Sequence, residues 1–440
     1  LEKEMSNQLL TISDITNESL MVLENELVLA DKVNREYDDK YAIDGAKIGY
    51  TLNVRLPARF VGTAGPALNV ENFVENSRAV SLTNQFHVDT QFITSDLLLS
   101  MDMFSKRVLK PKIATIANKV DNDLANFMRW NTAASVGTAG TSPTTLAPFL
   151  SAGAILDTEA VPRDGYRCMV LDPFTQASMV GSLTGLFNPQ ASIGEQYKKG
   201  LMSKQTVGFD WYMDQNISSQ TNKAVAGTPV FTTTGTSSAL LTSGWSDTGT
   251  LQTSGWTNST AVLNVGDVFT IAGVFMVNPQ ARQATNQLRY FVVMPASGTP
   301  SAGTFVATTD VFGNVNGGTY TSSGSGTLQV TIAECVISAG QFQNVSAAPA
   351  NSAGITLYST TAKTSPQSLA FHRDAYTLVS ADLPLPGGVD MAARASHKDV
   401  GFSLRVVRQY TINNDALPTR IDVLYGMAPL YRSFACRVHG

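Results

Sequence analysis

The chain is poor in the residues from which reactive centres are built. Among its 440 residues are four histidines, His87, His372, His397 and His439, and no two stand at a metal-ligating spacing. Cys168, Cys335 and Cys436 are odd in number and far apart, which excludes a disulfide framework and a zinc motif and points to a reducing compartment. Neither a Gly-x-Ser-x-Gly elbow nor a phosphate-binding glycine loop followed by lysine occurs. No apolar run reaches the ~18 residues of a membrane-spanning helix, and "LEKEMSNQLL" lacks the basic-then-apolar pattern of a secretory leader. The Asn-x-Ser/Thr triplets beginning at Asn17, Asn216, Asn258 and Asn344 are therefore read as chance in a Ser/Thr-rich chain. Positive charge is not in excess: 31 Lys and Arg stand against 35 Asp and Glu, which argues against a surface that holds nucleic acid by neutralising phosphates.

Length, in contrast, is ample, and two or three domains are expected. The charge is unevenly spread. Residues 1–44 carry eleven acidic and four basic side chains, so the body beyond them is mildly basic. Such a segment is either a solvated arm or a docking element for a basic partner. Within it, Leu20, Leu23, Leu27, Ala30 and Val33 recur every three or four residues after Thr16 or Asn17, which predicts an amphipathic helix with a glutamate-rich outer face.

The period then becomes two. Ile48, Tyr50, Leu52, Val54 and Leu56 alternate with Gly49, Thr51, Asn53 and Arg55. Val80, Leu82, Phe86, Val88 and Phe92 do the same against Ser81, Thr83, Gln85, His87, Asp89 and Gln91. With "ARFVGTAGPALNVENFVENSR" between them, the two runs predict a long two-stranded arm that needs a surface to lie against, such as another subunit. After Ser95 the pattern is helical again. Ile113, Ile116, Val120, Leu124 and Phe127 form one buried stripe, Pro111 either kinks this helix or opens a second one, and the Gly/Ser/Thr/Pro run from Ala133 to Pro148 ends it.

"RCMVLDP" reads as a short buried strand, and "PFTQASMVGSL" as a helix with Pro173 in its first position after Asp172. From Ala226 to Ala362 only Asp247, Asp267, Arg282, Arg289, Asp310 and Glu334 are charged. The pieces "GDVFTIAGVFMV", "RYFVVM", "GTLQVTIAECVI" and "GITLYST" predict an all-β barrel or sandwich, with disorder competing in the glycine-rich parts. "GTYTSSGSGT" reads as a turn or flexible loop. Near the end, Phe402, Leu404, Val406, Tyr410 and Ile412, then Ile421, Val423 and Tyr425, predict a hairpin joined by "NNDALP".

His372-Arg373-Asp374 opens like a kinase catalytic loop, but Val379 stands where the metal-holding Asn would be. The trio is expected at the entry to a strand, "AYTLVSADLP". Asp121 and Asp123, two apart on the long helix, face different ways. Nothing assembles into nucleophile, base and orienter, so no enzyme, cofactor or metal is expected.

In element order, and in "LAFHRDAYTLVSADLPLP" at 369–386 and "GDVFTIAGV" at 266–274, the chain resembles the major capsid proteins of tailed double-stranded DNA bacteriophages, HK97-like fold, of the podovirus type with an inserted β-domain. The resemblance implies an α+β fold: N-terminal arm 1–45, extended loop 46–94, peripheral domain with spine helix 95–148, axial domain 149–225 returning at 363–388, inserted all-β barrel domain 226–362, and peripheral C-terminal strands 389–440. It further implies pentamers and hexamers in an icosahedral shell, a scaffolding protein, a portal, and enclosed DNA without sequence-specific binding. Assembly would occur in the host bacterial cytoplasm without membrane or covalent cross-link. Glu18, Glu24 and Glu26 are the expected scaffold contacts, and Leu20, Leu23 and Leu27 the expected subunit contacts. A β-rich adhesin or carbohydrate-binding surface protein is the alternative, and a cellular compartment on the same shell fold a third reading.

Overall fold

The computed structural model describes residues 27–35, 51–72, 75–93, 110–182, 207–309, 315–397, 402–413 and 416–439. Two compact units share the chain. One gathers Leu1–Val54, Arg78–Leu124 and Thr377–Ala428; the other gathers Arg55–Ser77, Ala125–Tyr376 and Pro429–Gly440.

The first unit is built on the long strand Ala416–Pro429. Residues 419–423 pair antiparallel with Phe402–Arg408, which pairs in turn with Met391–His397, while residues 416–425 pair with Asn84–Ile93. Alternation decides the faces: Phe402, Leu404, Val406, Ile421, Val423 and Tyr425 are buried. The expected continuation to Tyr410 and Ile412 does not occur. The strand stops at Arg408, Thr411 N–H turns to the Ala416 carbonyl at 2.9 Å, and both apolar side chains are exposed. Met391–His397 was not foreseen, because "MAARASH" shows no alternation of large apolar residues.

The second arm strand also departs from expectation. It is two strands: Asn76–Ser81 pairs with Thr51–Leu56 as a hairpin, whereas Asn84–Ile93 leaves for the long strand. The ten-residue ladder there outcompetes a longer hairpin. A close approach marks the break: a Cβ on Gly426 would stand 2.2 Å from the Ser81 carbonyl oxygen.

Residues 27–35 form turns, not the expected helix. The donors that would feed an i−4 ladder go elsewhere, since the Asp121 carboxylate accepts Val28 N–H at 2.8 Å and Ala30 N–H at 3.0 Å. The apolar residues are nonetheless buried, Leu27, Leu29, Ala30 and Val33 alike. The remainder of that segment lies outside the described residues.

The helix Lys110–Asn131 buries Ile113, Ile116, Val120 and Leu124 completely, while Phe127, the fifth member of the expected stripe, is only half-buried. It ends where the Gly/Ser/Thr run begins. Near its C-terminus Asn131 Nδ2 donates to the Phe127 carbonyl and Thr132 Oγ1 to the Met128 carbonyl.

The second unit contains a mixed five-stranded sheet in the order Ser135–Val136, Ala435–Val438, Ser368–His372, Arg167–Leu171, Asp210–Met213. The helix Ala147–Thr158 contributes Phe149, Ala152 and Leu156 to the same core, where Phe149 meets Trp211 edge to face at 5.1 Å. Asp172 caps the helix Pro173–Ser182, its Oδ2 accepting Phe174 N–H at 3.2 Å and Thr175 N–H at 3.1 Å.

The same unit holds a six-stranded antiparallel sheet, in the order Ile355–Leu357, Val268–Val277, Ala284–Met294, Leu328–Ala333, Thr248–Trp256, Gly227–Phe231. Its edges meet: Phe231 N–H donates to the Ala353 carbonyl at 2.8 Å and Ser352 N–H to the Phe231 carbonyl at 2.9 Å. The sheet therefore closes as a small barrel around Phe231, Leu251, Phe269, Phe291, Leu328 and Ile332. "GTYTSSGSGT" is not all loop. Its first residues belong to the strand Val315–Thr321, and Ser323 then accepts Ser325 N–H and Thr327 N–H in a hydroxyl-pinned turn.

Candidate functional site

His372 is the residue to test first, because imidazole is the usual proton-transfer group near neutral pH. Its Nε2 lies 3.0 and 3.2 Å from the two Asp164 carboxylate oxygens, and its Nδ1 accepts Asp374 N–H at 3.2 Å. Both nitrogens are committed, and the ring is buried. The trio therefore caps the 3₁₀ turn Arg373–Ala375 between Ser368–His372 and Tyr376–Ser380, as expected for a strand entry. Arg373 lies over the Tyr166 ring, 5.7 Å from its centroid.

His87 pairs with Asp89 at 3.0 Å on an exposed strand face. His439 is buried, and desolvation pushes it down to about 3, so it is neutral. Cys168, Cys335 and Cys436 are buried free thiols, with burial pushing Cys436 up. Asp121 and Asp123 act on different faces, the first on the Val28 and Ala30 amides, the second on Lys119 and on Tyr425 Oη at 2.6 Å. Among the described residues no three metal-ligating side chains converge.

Charge is instead invested in holding segments together. Arg289, on a barrel strand, reaches Glu159 Oε1 at 2.8 Å and Glu334 Oε2 at 2.5 Å. Burial raises the Glu159 carboxyl, and Arg289 pulls it back. Arg432 reaches Asp247 Oδ2 at 3.0 Å. Arg437, fully buried, donates to the Arg129 carbonyl at the end of the long helix and to the Gly266 carbonyl at 2.7 Å. Desolvation lowers its guanidinium to about 9. In the first unit Asp422, with no exposed surface, accepts from Arg405 at 3.0 and 2.5 Å, from Arg420 at 3.2 Å and from Gln85 at 3.2 Å.

The loop of the hairpin arm is the other kind of surface. Phe60, Leu68 and Val70 are 61%, 90% and 77% exposed, so three large apolar side chains stand in solvent on one loop. The loop is held at both limbs. Arg282 Nη2 donates to the Phe60 carbonyl at 3.4 Å and Gln341 Nε2 to the Asn72 carbonyl at 2.9 Å, while Glu71 accepts Val61 N–H at 2.7 Å. Arg282 itself sits in the left-handed region with φ +54°, and Asn278 Oδ1 accepts Gln280 and Ala281 N–H to build its turn.

Of the six residues expected at contacts, Glu18, Leu20, Leu23, Glu24 and Glu26 lie outside the described residues. Leu27 is buried within its own chain. Sequence reasoning overlooked Arg289, Arg282 and Gln341. Arg289 and Glu334 did leave a trace, being opposite charges inside otherwise uncharged apolar strand pieces.

Comparison with known proteins gives no match among curated sequences. Among solved structures, the chain is similar to one from Mycobacterium phage Che8, at 11% identity over 93% of this chain and 90% of that one, with a TM-score of 0.44. It is also similar to the capsid of cyanophage P-SCSP1u, at 10% identity over 89% and 83% of the two chains, with a TM-score of 0.40. A third is the mature capsid of bacteriophage PhiM1, at 10% identity over 89% and 82%, with a TM-score of 0.38. The sequence itself matches the family model described as "P22 coat protein - gene protein 5" across residues 6–432. The chain thus belongs to the P22 coat protein family, and it is a structural major capsid protein of a tailed phage.

Proposed function

We propose that the chain adopts an HK97-like fold carrying an inserted barrel domain. In this reading pentamers and hexamers of it close an icosahedral head around double-stranded DNA. Residues 46–94 act as the extended loop, 226–362 as the insertion, and 149–225 with 363–388 as the axial domain. The observation that carries this best is the arm: a hairpin whose loop presents Phe60, Leu68 and Val70 to solvent in the isolated chain. Contacts that close a ring or shell by rotation are heterologous, and a projecting apolar arm suits a patch on the next copy. Near-balanced charge also suits a wall around DNA that is confined rather than bound.

Assembly runs through a scaffold-assisted procapsid in the host cytoplasm, with one vertex given to a portal. Glu18, Glu24 and Glu26 contribute to the docking face for a basic scaffold element, while Leu20 and Leu23 pack on a neighbouring subunit. Family membership leaves the adhesin reading without support. Sedimentation of the coat protein coexpressed with its phage's scaffold tests assembly: fast-sedimenting uniform particles are expected. Charge reversal at the three glutamates should weaken scaffold binding and flatten its salt dependence, and unchanged binding would remove that role.

A further inference from the structure

Two buried polar atoms in the second unit belong to residues that line one small cavity and have no hydrogen-bond partner. The cavity measures about 20 Å³, and Asn131, Glu159, Arg289, Glu334 and Arg432 are among the residues around it. The end of the long helix, the barrel strand Ala284–Met294 and the 3₁₀ turn Arg432–Phe434 come together there.

The first atom is an acceptor. Asn131 is 2% exposed, and its Nδ2 donates to the Phe127 carbonyl at 2.7 Å, which fixes the orientation of the amide. Oδ1 is then the atom left over, and it is buried without a partner. The second atom is a donor. Arg432 is 5% exposed; its Nη1 donates to the Asp247 carbonyl at 3.2 Å and its Nη2 to Asp247 Oδ2 at 3.0 Å, while Nε is buried without a partner. Burial lowers the guanidinium to about 10, so it is still charged at neutral pH and Nε–H is a donor there. Leaving a buried donor and a buried acceptor unmatched is destabilising, and native structures satisfy such atoms with protein groups or ordered water.

We propose that this cavity binds one water molecule as a fixed part of the structure, the water accepting from Arg432 Nε and donating to Asn131 Oδ1. Size and lining together select the occupant. A cavity of about 20 Å³ has room for one water and nothing larger. A cation there would face the guanidinium groups of Arg289 and Arg432, and an anion would face Asn131 Oδ1 and the carboxylates of Glu159 and Glu334. Two acidic and two basic side chains balance, so the site matches a neutral molecule that both donates and accepts. The second proton of the water goes to a carboxylate of Glu159 or Glu334, which completes the three hydrogen bonds usual for a buried water. The bridge ties the end of the long helix to the turn before the last strand. It stands on side-chain geometry alone, whether or not the chain forms shells.

The first test is a crystal structure of the full wild-type chain at a resolution that shows ordered water. A single peak within about 3.2 Å of both Arg432 Nε and Asn131 Oδ1 is expected. Ordered side chains with no peak between them, or a direct protein partner for either atom, would overturn the proposal. Crystals grown in sodium bromide identify the occupant, since an anomalous peak at the site would mean an anion and overturn water. In solution, Asn131→Leu, Arg432→Met and the double variant are compared by tryptophan-monitored melting midpoints. A shared water couples the two residues, so the Arg432→Met shift should be smaller by about 2 °C or more in the Asn131→Leu background. Additive shifts would overturn the bridge. If a variant fails to fold, the wild-type map decides alone.

Discussion

Replacing Arg289 by Met removes the centre of a buried ion cluster, and the size and pH dependence of the loss follow from its partners. Glu159 and Glu334 lie 2.8 and 2.5 Å from the guanidinium, and Arg289 and Glu159 are both buried. Breaking a buried pair by deleting one member costs about 3–5 kcal/mol, because a charge is left uncompensated. Glu334 retains favourable charge from Arg432, and Glu159 retains a weaker one from Arg59, so the lower end, about 3 kcal/mol, is expected. Burial already holds the Glu159 carboxyl above its usual value of 4.5. A raised acid contributes stability in its protonated form, present below its unfolded pKa and lost as pH rises through the folded one. Without Arg289 that carboxyl rises further, so the penalty is largest near pH 8 and shrinks towards pH 5.

Tryptophan fluorescence is the natural assay, since Trp130, Trp211, Trp245 and Trp256 all belong to the second compact unit. At about 2–4 °C per kcal/mol for a unit of this order, the midpoint should fall by about 6–12 °C at pH 8. Adding Glu159→Gln should restore part of the loss. A fall below about 2 °C, or the same fall at pH 5 and pH 8, would refute the reasoning.

Three further perturbations have defined outcomes. Arg437→Met leaves the Arg129 and Gly266 carbonyls without their buried donor and should cost about 2–4 kcal/mol, read as a lower urea midpoint in the same fluorescence. Gly426→Ala places a Cβ 2.2 Å from the Ser81 carbonyl oxygen, so limited proteolysis should cut the first unit faster while tryptophan melting is unmoved. Arg282→Ala frees the Phe60 carbonyl and the turn it closes, so amide exchange in residues 60–72 should quicken, with barrel amides unchanged.

Legibility in the sequence followed periodicity. Where one face meets a core, as at Ile113, Ile116, Val120 and Leu124, or at Ile421, Val423 and Tyr425, three- or two-residue spacing located both element and buried face. Asp172-Pro173 marked a helix start correctly, because cap chemistry is local. Misreadings arose where a distant group competed with local preference. The Leu27, Ala30, Val33 spacing was read as helix, yet Asp121, about ninety residues away, takes the amides. The strand through Leu82 was read as continuous, yet Gly426 and the ladder on Ala416–Pro429 divide it. The strand pieces left barrel and sandwich both open, because closure depends on two distant edges meeting, Phe231 against Ser352 and Ala353. Arg282 and Gln341 act through hydrogen bonds to carbonyl oxygens, which leave no pattern in side-chain identity.

The most direct test of the shell account is cryo-electron microscopy of particles purified after coexpression of this chain with its phage's scaffold. The account predicts closed icosahedral shells with five-fold and six-fold clusters of this chain, the 57–75 loop of each subunit reaching onto a neighbour. Monomers or open, irregular aggregates under the same conditions would contradict it.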